Sequence, residues 1–244
     1  MKSPARTTPT SDDDREAGTF TYRSTRLFEA YSDAEAFRAH IESFVPVEFR
    51  RDWGLPAIHQ VGLAVAEVED AIPELEALGI GPFLVVESHP KVWIECGQTK
   101  RVRLKTGTGY HHGYEIEPLG PVDGSEIFQA SIDPQGRPVV HHVAFRVSDV
   151  EGWTARFVSE GYPLVLRVRI GSGPFNIDAT YLDTSKDLGL LVEFCSYSIF
   201  GKCFRAPPAA FHMGGWLQRL SGRRTLWLNP LSSALSKRSQ RRGI

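Results

Sequence analysis

Four side chains far apart in the 244-residue chain have the types and the spacing to do chemistry together: Gln60, Glu117, His142 and Glu193. Each stands in an apolar, β-rich run: Ile58-His-Gln-Val-Gly-Leu, Tyr114-Glu-Ile-Glu, Val140-His-His-Val-Ala-Phe and Leu190-Leu-Val-Glu-Phe. A carboxylate buried without a partner is strongly destabilising, and two facing one cavity repel and hold a proton between them. A divalent cation removes that conflict, because two carboxylates, an amide oxygen and an imidazole around M²⁺ are formally neutral. Mixed oxygen and nitrogen donors suit Mn, Fe, Co, Ni, Zn or Mg better than a structural zinc site, which favours Cys and His.

What brings the four together is an internal repeat. Residues 58–80, IHQVGLAVAEVEDAIPELEALGI, align without a gap on residues 140–162, VHHVAFRVSDVEGWTARFVSEGY, at an offset of 82. Gln60 falls on His142, Val61 on Val143, Val65 on Val147 and Gly79 on Gly161. Each copy reads as a strand followed by a helix that ends near glycine. The helical stripes are Val68, Ile72, Leu75 and Leu78, and then Val150, Trp153, Phe157 and Val158. Short strand-like runs follow: PFLVVES, KVWIEC, KRVRLKT and GYEIEP in the first copy, YPLVLRVRI, ATYLDT and GLLVEFCS in the second. Gly113-Tyr-Glu-Ile-Glu117 matches Gly189-Leu-Leu-Val-Glu193, so both copies end on a strand carrying a glutamate. The expected fold is α+β: two tandem βαβββ modules paired about a pseudo-two-fold axis, with N- and C-terminal extensions. The partition is 1–56, 57–198 and 199–244. Strand alternation points His59 away from Gln60, and by the same reasoning His141 and Glu115 are expected to face away from the site.

The paired modules resemble the vicinal oxygen chelate superfamily, which includes glyoxalase I, methylmalonyl-CoA epimerase and bleomycin resistance-like proteins. The likeness spans residues 57–198 and rests on Ile58-His-Gln-Val-Gly-Leu-Ala-Val, Gly81-Pro-Phe83, Glu117-Pro-Leu-Gly-Pro121, Val140-His-His-Val-Ala-Phe and Gly189-Leu-Leu-Val-Glu193. It implies one bound divalent metal held by Gln60, Glu117, His142 and Glu193, an order similar to that of human-type glyoxalase I. It further implies a glyoxalase-like lyase, isomerase or epimerase that takes a proton from a small carbonyl or hydroxy-carbonyl compound. Glu193 is the first choice of base and Glu117 the second. The alternatives are an extradiol-type Fe(II) dioxygenase and a metal-free protein that sequesters a small molecule. Gln60, and Glu117 where a dioxygenase has histidine, count against the first. The full set of four donors counts against the second.

Composition bounds the remainder. An apolar fraction of 41% with 23% charged residues is that of a globular protein. No run of the length needed for a transmembrane helix is present, and the polar start MKSPARTTPTSDDDRE does not read as a secretory signal. Three scattered cysteines make no disulfide framework, so a reducing, cytoplasmic setting is expected. Residues 1–18 read as disordered. Ser32 and Glu35 fit a capping box for a helix carrying Phe37, Ile41 and Phe44, a candidate cover for the core or a homodimer contact. Cys195 reads as a small core residue, His111 and His112 as loop residues. Phe83, Trp93 and Tyr181 are candidates for an apolar pocket. From Phe194 onward there is no acidic residue and there are nine basic ones, leaving 19 of the 28 basic residues against all 29 acidic ones upstream. This basic tail is expected to be mostly unstructured and to dock in part on the acidic body. No nucleic-acid motif is present.

Overall fold

A computed structural model describes residues 33–223 and 225–227. The expected disorder of residues 1–18, the Ser32 cap and the tail beyond residue 227 lie outside these. Two short helices, α1 (Ala34–Glu42) and α2 (Val47–Trp53), precede the first strand. The first half then runs β1 (Gln60–Ala64), α3 (Val68–Ala77), β2 (Leu84–Ser88), a hairpin of β3 (Val92–Glu95) and β4 (Gln98–Thr99), β5 (Arg103–His111), β6 (Tyr114–Asp123) and α4 (Glu126–Ala130). The second runs β7 (Val139–Arg146), α5 (Val150–Ser159), β8 (Leu164–Ser172), β9 (Phe175–Asp183), the single turn α6 (Ser185–Leu188) and β10 (Leu191–Ile199). The chain continues through β11 (Lys202–Cys203), α7 (Pro208–Leu220) and β12 (Leu226–Trp227).

The class is α+β, as the periodicities imply. The strands form one curled sheet in the order β12-β2-β5-β6-β1-β7-β10-β9-β8-β3-β4, with β11 on β10. Within each half the first and last strands pair in parallel, β1 with β6 and β7 with β10. The halves join where β1 meets β7 antiparallel. Odd positions of β1, Val61 and Leu63, pack outward with Val143, Phe145, Val192 and Phe194 beneath the helices. The inner face carries a second cluster that includes Trp93, Leu119, Phe128, Leu166, Tyr181 and Cys195. The polar positions interrupt this inner surface.

Several local expectations are corrected. The N-cap of α1 is Asp33, whose side chain accepts from the Glu35 amide. Its Phe37 and Ile41 are fully buried, and His111 packs edge-on against Phe37. Val158 is exposed; its place on α5 is taken by Thr154, which bonds Thr180 across the interface at 2.7 Å. The run KVWIEC, β3, leaves the first half and pairs with β8 of the second. The tail is not mostly unstructured over its first part, because 208–220 form α7. Proline at its first turn suits helix initiation. Gln218 lies buried against the edge of β2, donating to the Val85 carbonyl at 3.0 Å and accepting from the Val85 amide at 2.9 Å. One amide side chain thus pairs Val85 just before β12 takes up Val86 and Glu87 along the same edge, and Arg219 adds an ion pair to Glu76 of α3.

Replacing Gln218 with alanine leaves both backbone groups of Val85 unpaired, at about 1–3 kcal/mol. Urea unfolding of Gln218→Ala is expected to show that loss, whereas Gln218→Glu, which keeps only the acceptor, loses part of it.

Candidate functional site

Two rows of residues cross the four central strands. One reads Glu115 on β6, Gln60 on β1, Ala144 on β7 and Glu193 on β10; the next reads Glu117, Gly62, His142 and Leu191. Side chains two apart on a strand share a face. The two rows therefore project their polar groups into one concavity. The repeat explains the spacing, since Gly62 and Ala144 are equivalent and both small. Where Gly62 stands, a Cβ would lie 1.8 Å from the His142 ring. The missing side chain is the space that the imidazole occupies.

Gln60, Glu117, His142 and Glu193, chosen from sequence, come together here. The Gln60 amide donates to Glu117. His142 Nε2 lies 2.9 Å from Glu193 Oε2 and 4.0 Å from Glu117 Oε2. His142 is fully buried, and Glu193 is nearly so. His142 Nε2 and Glu193 Oε2 are buried with no satisfactory hydrogen-bond geometry to any partner. Burial first, then the charges of Glu193 and Glu115, push the Glu117 carboxyl well above the usual range, with the Gln60 hydrogen bond opposing. Among the described residues, no three His, Cys, Asp or Glu side chains are placed so that together they could hold a metal ion. The polar groups that would face a cation face one another instead.

Glu95 shows what a structural buried carboxylate looks like in this chain. It accepts from Trp93 Nε1 (2.9 Å), Lys100 Nζ (2.8 Å), Ser125 Oγ (2.7 Å) and the amides of Glu126 (2.9 Å) and Ile127 (3.3 Å) at the start of α4. These donors overcome its burial and hold its carboxyl below the usual range. Glu117 has one donor and two acidic neighbours. Its environment suits a positive charge that the protein itself does not provide.

The cavity beside these groups has a volume of about 190 Å³. Gln60, Glu115, Glu117, Glu193, Tyr181 and Tyr197 make its polar end. Trp93 and Tyr181 line it, as the sequence suggested, whereas Phe83 packs in the outer core. Glu115 and His141 are corrections. Glu115 shares the face of Glu117 because they are two residues apart. It accepts from the Tyr110 hydroxyl at 2.5 Å, lies 3.3 Å from His59 Nε2 and meets the Tyr197 hydroxyl at 3.4 Å. His141 escapes alternation because the β1–β7 register slips between Gly62 and Leu63, which pair with His142 and Val140. This bulge turns its ring onto Phe128 at 4.3 Å, with Nδ1 3.0 Å from that of His142. The Tyr181 hydroxyl reaches Glu193, a polar role beyond the apolar lining its sequence context suggests, and Tyr197 carries no sequence signal beyond being a strand aromatic. Cys195 is buried in the inner core, its thiol pushed up by burial and by Glu193.

A protein-family model described as Glyoxalase/Bleomycin resistance protein/Dioxygenase superfamily matches residues 59–181. Subunit delta of the acetyl-CoA decarbonylase/synthase complex of Methanothermobacter thermautotrophicus is 27% identical over 158 residues, which are 60% of this chain and 40% of that protein. The chain therefore spans well under half the length of that relative. Among solved structures, methylmalonyl-CoA epimerase from Mycobacterium tuberculosis is 24% identical with a TM-score of 0.42, covering 64% of this chain and 92% of that one. A variant of 4-hydroxymandelate synthase from Streptomyces coelicolor is 12% identical with a TM-score of 0.42, covering 68% and 56%.

The contrast between the two carboxylates predicts opposite responses. A glutamate whose folded pKa is raised contributes less stability as pH climbs from about 4.5 through the folded value. Chelator-treated protein should therefore lose stability over that range, and Glu117→Gln should flatten the loss and leave the protein as stable or more so. Glu95 is depressed, so its contribution fades as pH falls below about 4.5. Glu95→Gln should destabilise at neutral pH by about 1.5–3 kcal/mol. Denaturant titrations at several pH values read both. Gly62→Ala is expected to cost about 1–3 kcal/mol by displacing the His142 ring.

Proposed function

Because the chain belongs to the glyoxalase/bleomycin resistance protein/dioxygenase superfamily, and its inner face gathers two carboxylates, an imidazole and an amide, we propose that it is a metal-dependent lyase, isomerase or epimerase. The substrate is a small carbonyl or hydroxy-carbonyl compound, and the reaction begins with removal of a proton next to the carbonyl. The observation that carries this reading is the set of under-satisfied polar atoms at repeat-equivalent positions: His142 Nε2, Glu193 Oε2 and the Glu117 carboxyl with its displaced pKa.

By donor type and charge these groups suit a divalent cation, once the side chains that now face one another turn toward it. Gln60, Glu117, His142 and Glu193 would hold it, with Gln60 turned so that its amide oxygen faces inward; the two ends of an amide are nearly equal in shape. A bound divalent ion supplies Lewis acidity that stabilises negative charge on the substrate oxygen. Glu193 is the proposed base. It stands beside Tyr181 and His142, and proton transfer to its carboxylate occurs in a site shielded by Trp93 and Phe128. Glu117 approaches from the other half of the sheet, so a proton can be returned on the opposite face of the carbon. Tyr181, its hydroxyl pushed well above its ordinary range by burial and by Glu193 and Glu117, stays protonated and orients Glu193 by hydrogen bonding.

Elemental analysis of the purified full chain tests the metal, with His142→Ala and Glu193→Gln beside the parent. Roughly one divalent ion per chain is expected, lost in His142→Ala. Glu193→Gln separates the roles: lost metal marks a ligand, whereas retained metal with no exchange of the α-proton in D₂O marks a base. A parent chain that takes up none of Zn, Ni, Co, Mn or Fe overturns the proposal in favour of a sequestering protein.

A further inference from the structure

Part of the cavity wall comes from the C-terminal segment. Phe204, Ala206 and Phe211 line it together with Phe175 and Ile177 of β9 and Leu84 of β2. All three lie beyond residue 181, where the family match ends. Their placement is built in. The Phe204 amide bonds the Tyr197 carbonyl at 3.0 Å, and its ring meets Phe175 with centroids 5.9 Å apart. The Phe211 ring lies 5.5 Å from that of Tyr110, which in turn holds Glu115. Downstream, Gln218 fastens α7 to β2 through both backbone groups of Val85.

The charges of the lining complete the argument. The ionisable carboxylates on the wall are Glu115, Glu117 and Glu193, and among the described residues no Lys or Arg lines it. Arg146, stacked on the Tyr197 ring at 4.1 Å from its centroid, and the exposed Arg205 of the C-terminal segment are felt at Tyr110, but neither side chain lines the cavity. An anionic group carried on the body of a ligand would lose its hydration here and meet three carboxylates, with no Lys or Arg on the lining to pair it directly. An apolar body would gain burial against aromatic and aliphatic side chains.

Resting on the metal-site reading, we infer that the segment Phe204–Phe211 is the specificity wall of the site. It selects uncharged substrates in which the oxygen-bearing head is attached to an apolar aryl or alkyl body, rather than substrates with an anionic body.

Three hydroxamic acids with one shared chelating head test this on the full chain: acetohydroxamic, benzohydroxamic and 4-carboxybenzohydroxamic acid, titrated calorimetrically with and without Zn²⁺. Benzohydroxamic acid is expected to bind about tenfold or more tighter than each of the other two. Phe211→Ala should narrow the phenyl-over-methyl ratio several-fold while acetohydroxamic acid binds as before. Phe211→Trp, which retains an aromatic wall and so guards against misfolding of the alanine variant, should keep the preference for the uncharged phenyl compound over the carboxylated one. Equal binding of the phenyl and methyl compounds, or tighter binding of the carboxylated one, overturns the inference, as does a ratio unmoved in folded Phe211→Ala. If the ranking stands but is indifferent to Zn²⁺, the metal reading fails and the wall survives.

Discussion

The antiparallel contact between β1 and β7 holds the whole arrangement in place. It joins the two halves by sheet hydrogen bonds at their centre, and its register sets which side chains meet. With Gly62 opposite His142, the imidazole lies across a position that has no side chain, and Glu117 and Glu193 flank it from the two outer parallel strands. A slip of one residue would send Gln60 and His142 into the outer core and bring Val61 and Val143 inward. Buried apolar surface on the outer face, from Val61, Leu63, Val143 and Phe145, opposes that slip. The polar inner face is thus positioned by the hydrophobic demand of its reverse.

Much of this was legible in the chain. The 82-residue offset tied Gln60 to His142 and placed both on strands, and the matching glutamates marked the last strand of each copy. The α+β class followed from the alternation of periods. What stayed hidden has specific causes. Glu115 was misplaced although its separation of two from Glu117 settles its face. His141 was misplaced because a bulge breaks alternation, and no residue type announces that bulge. The run KVWIEC looked like part of the first copy because local pattern says nothing of its pairing partner, which lies some 75 residues downstream on β8. The stretch that forms α7 reads as tail because Trp216, Leu217 and Leu220 are mixed with arginines, and in the structure these residues and Met213 remain largely exposed. What fixes it is one buried glutamine, a signal that composition does not carry.

The two halves have diverged in their additions more than in their frame. Helices α3 and α5 keep ten residues each and strands β5 and β9 nine each, whereas α4, the β3–β4 hairpin, α1, α2 and the C-terminal segment have no counterpart in the opposite copy. Three of these additions meet the inner face: the hairpin through Trp93, α4 through Phe128 and the C-terminal segment through Phe204 and Phe211. A nearly symmetric polar centre is thereby enclosed by an asymmetric apolar shell. On the proposed function, the centre would supply the chemistry and the shell would select the molecule that reaches it.

The link between β2 and β3 has a mechanical consequence. Only residues 89–91 separate a strand on the outer edge of one half from a strand paired to the outer edge of the other, so the curled sheet is laced shut across its rim by the chain itself. Spreading the halves apart like a hinge would have to tear β3 from β8. Passage of a guest molecule would then run through local displacement of rim side chains, governed by the mobility of a few rings and not by breathing of the whole barrel.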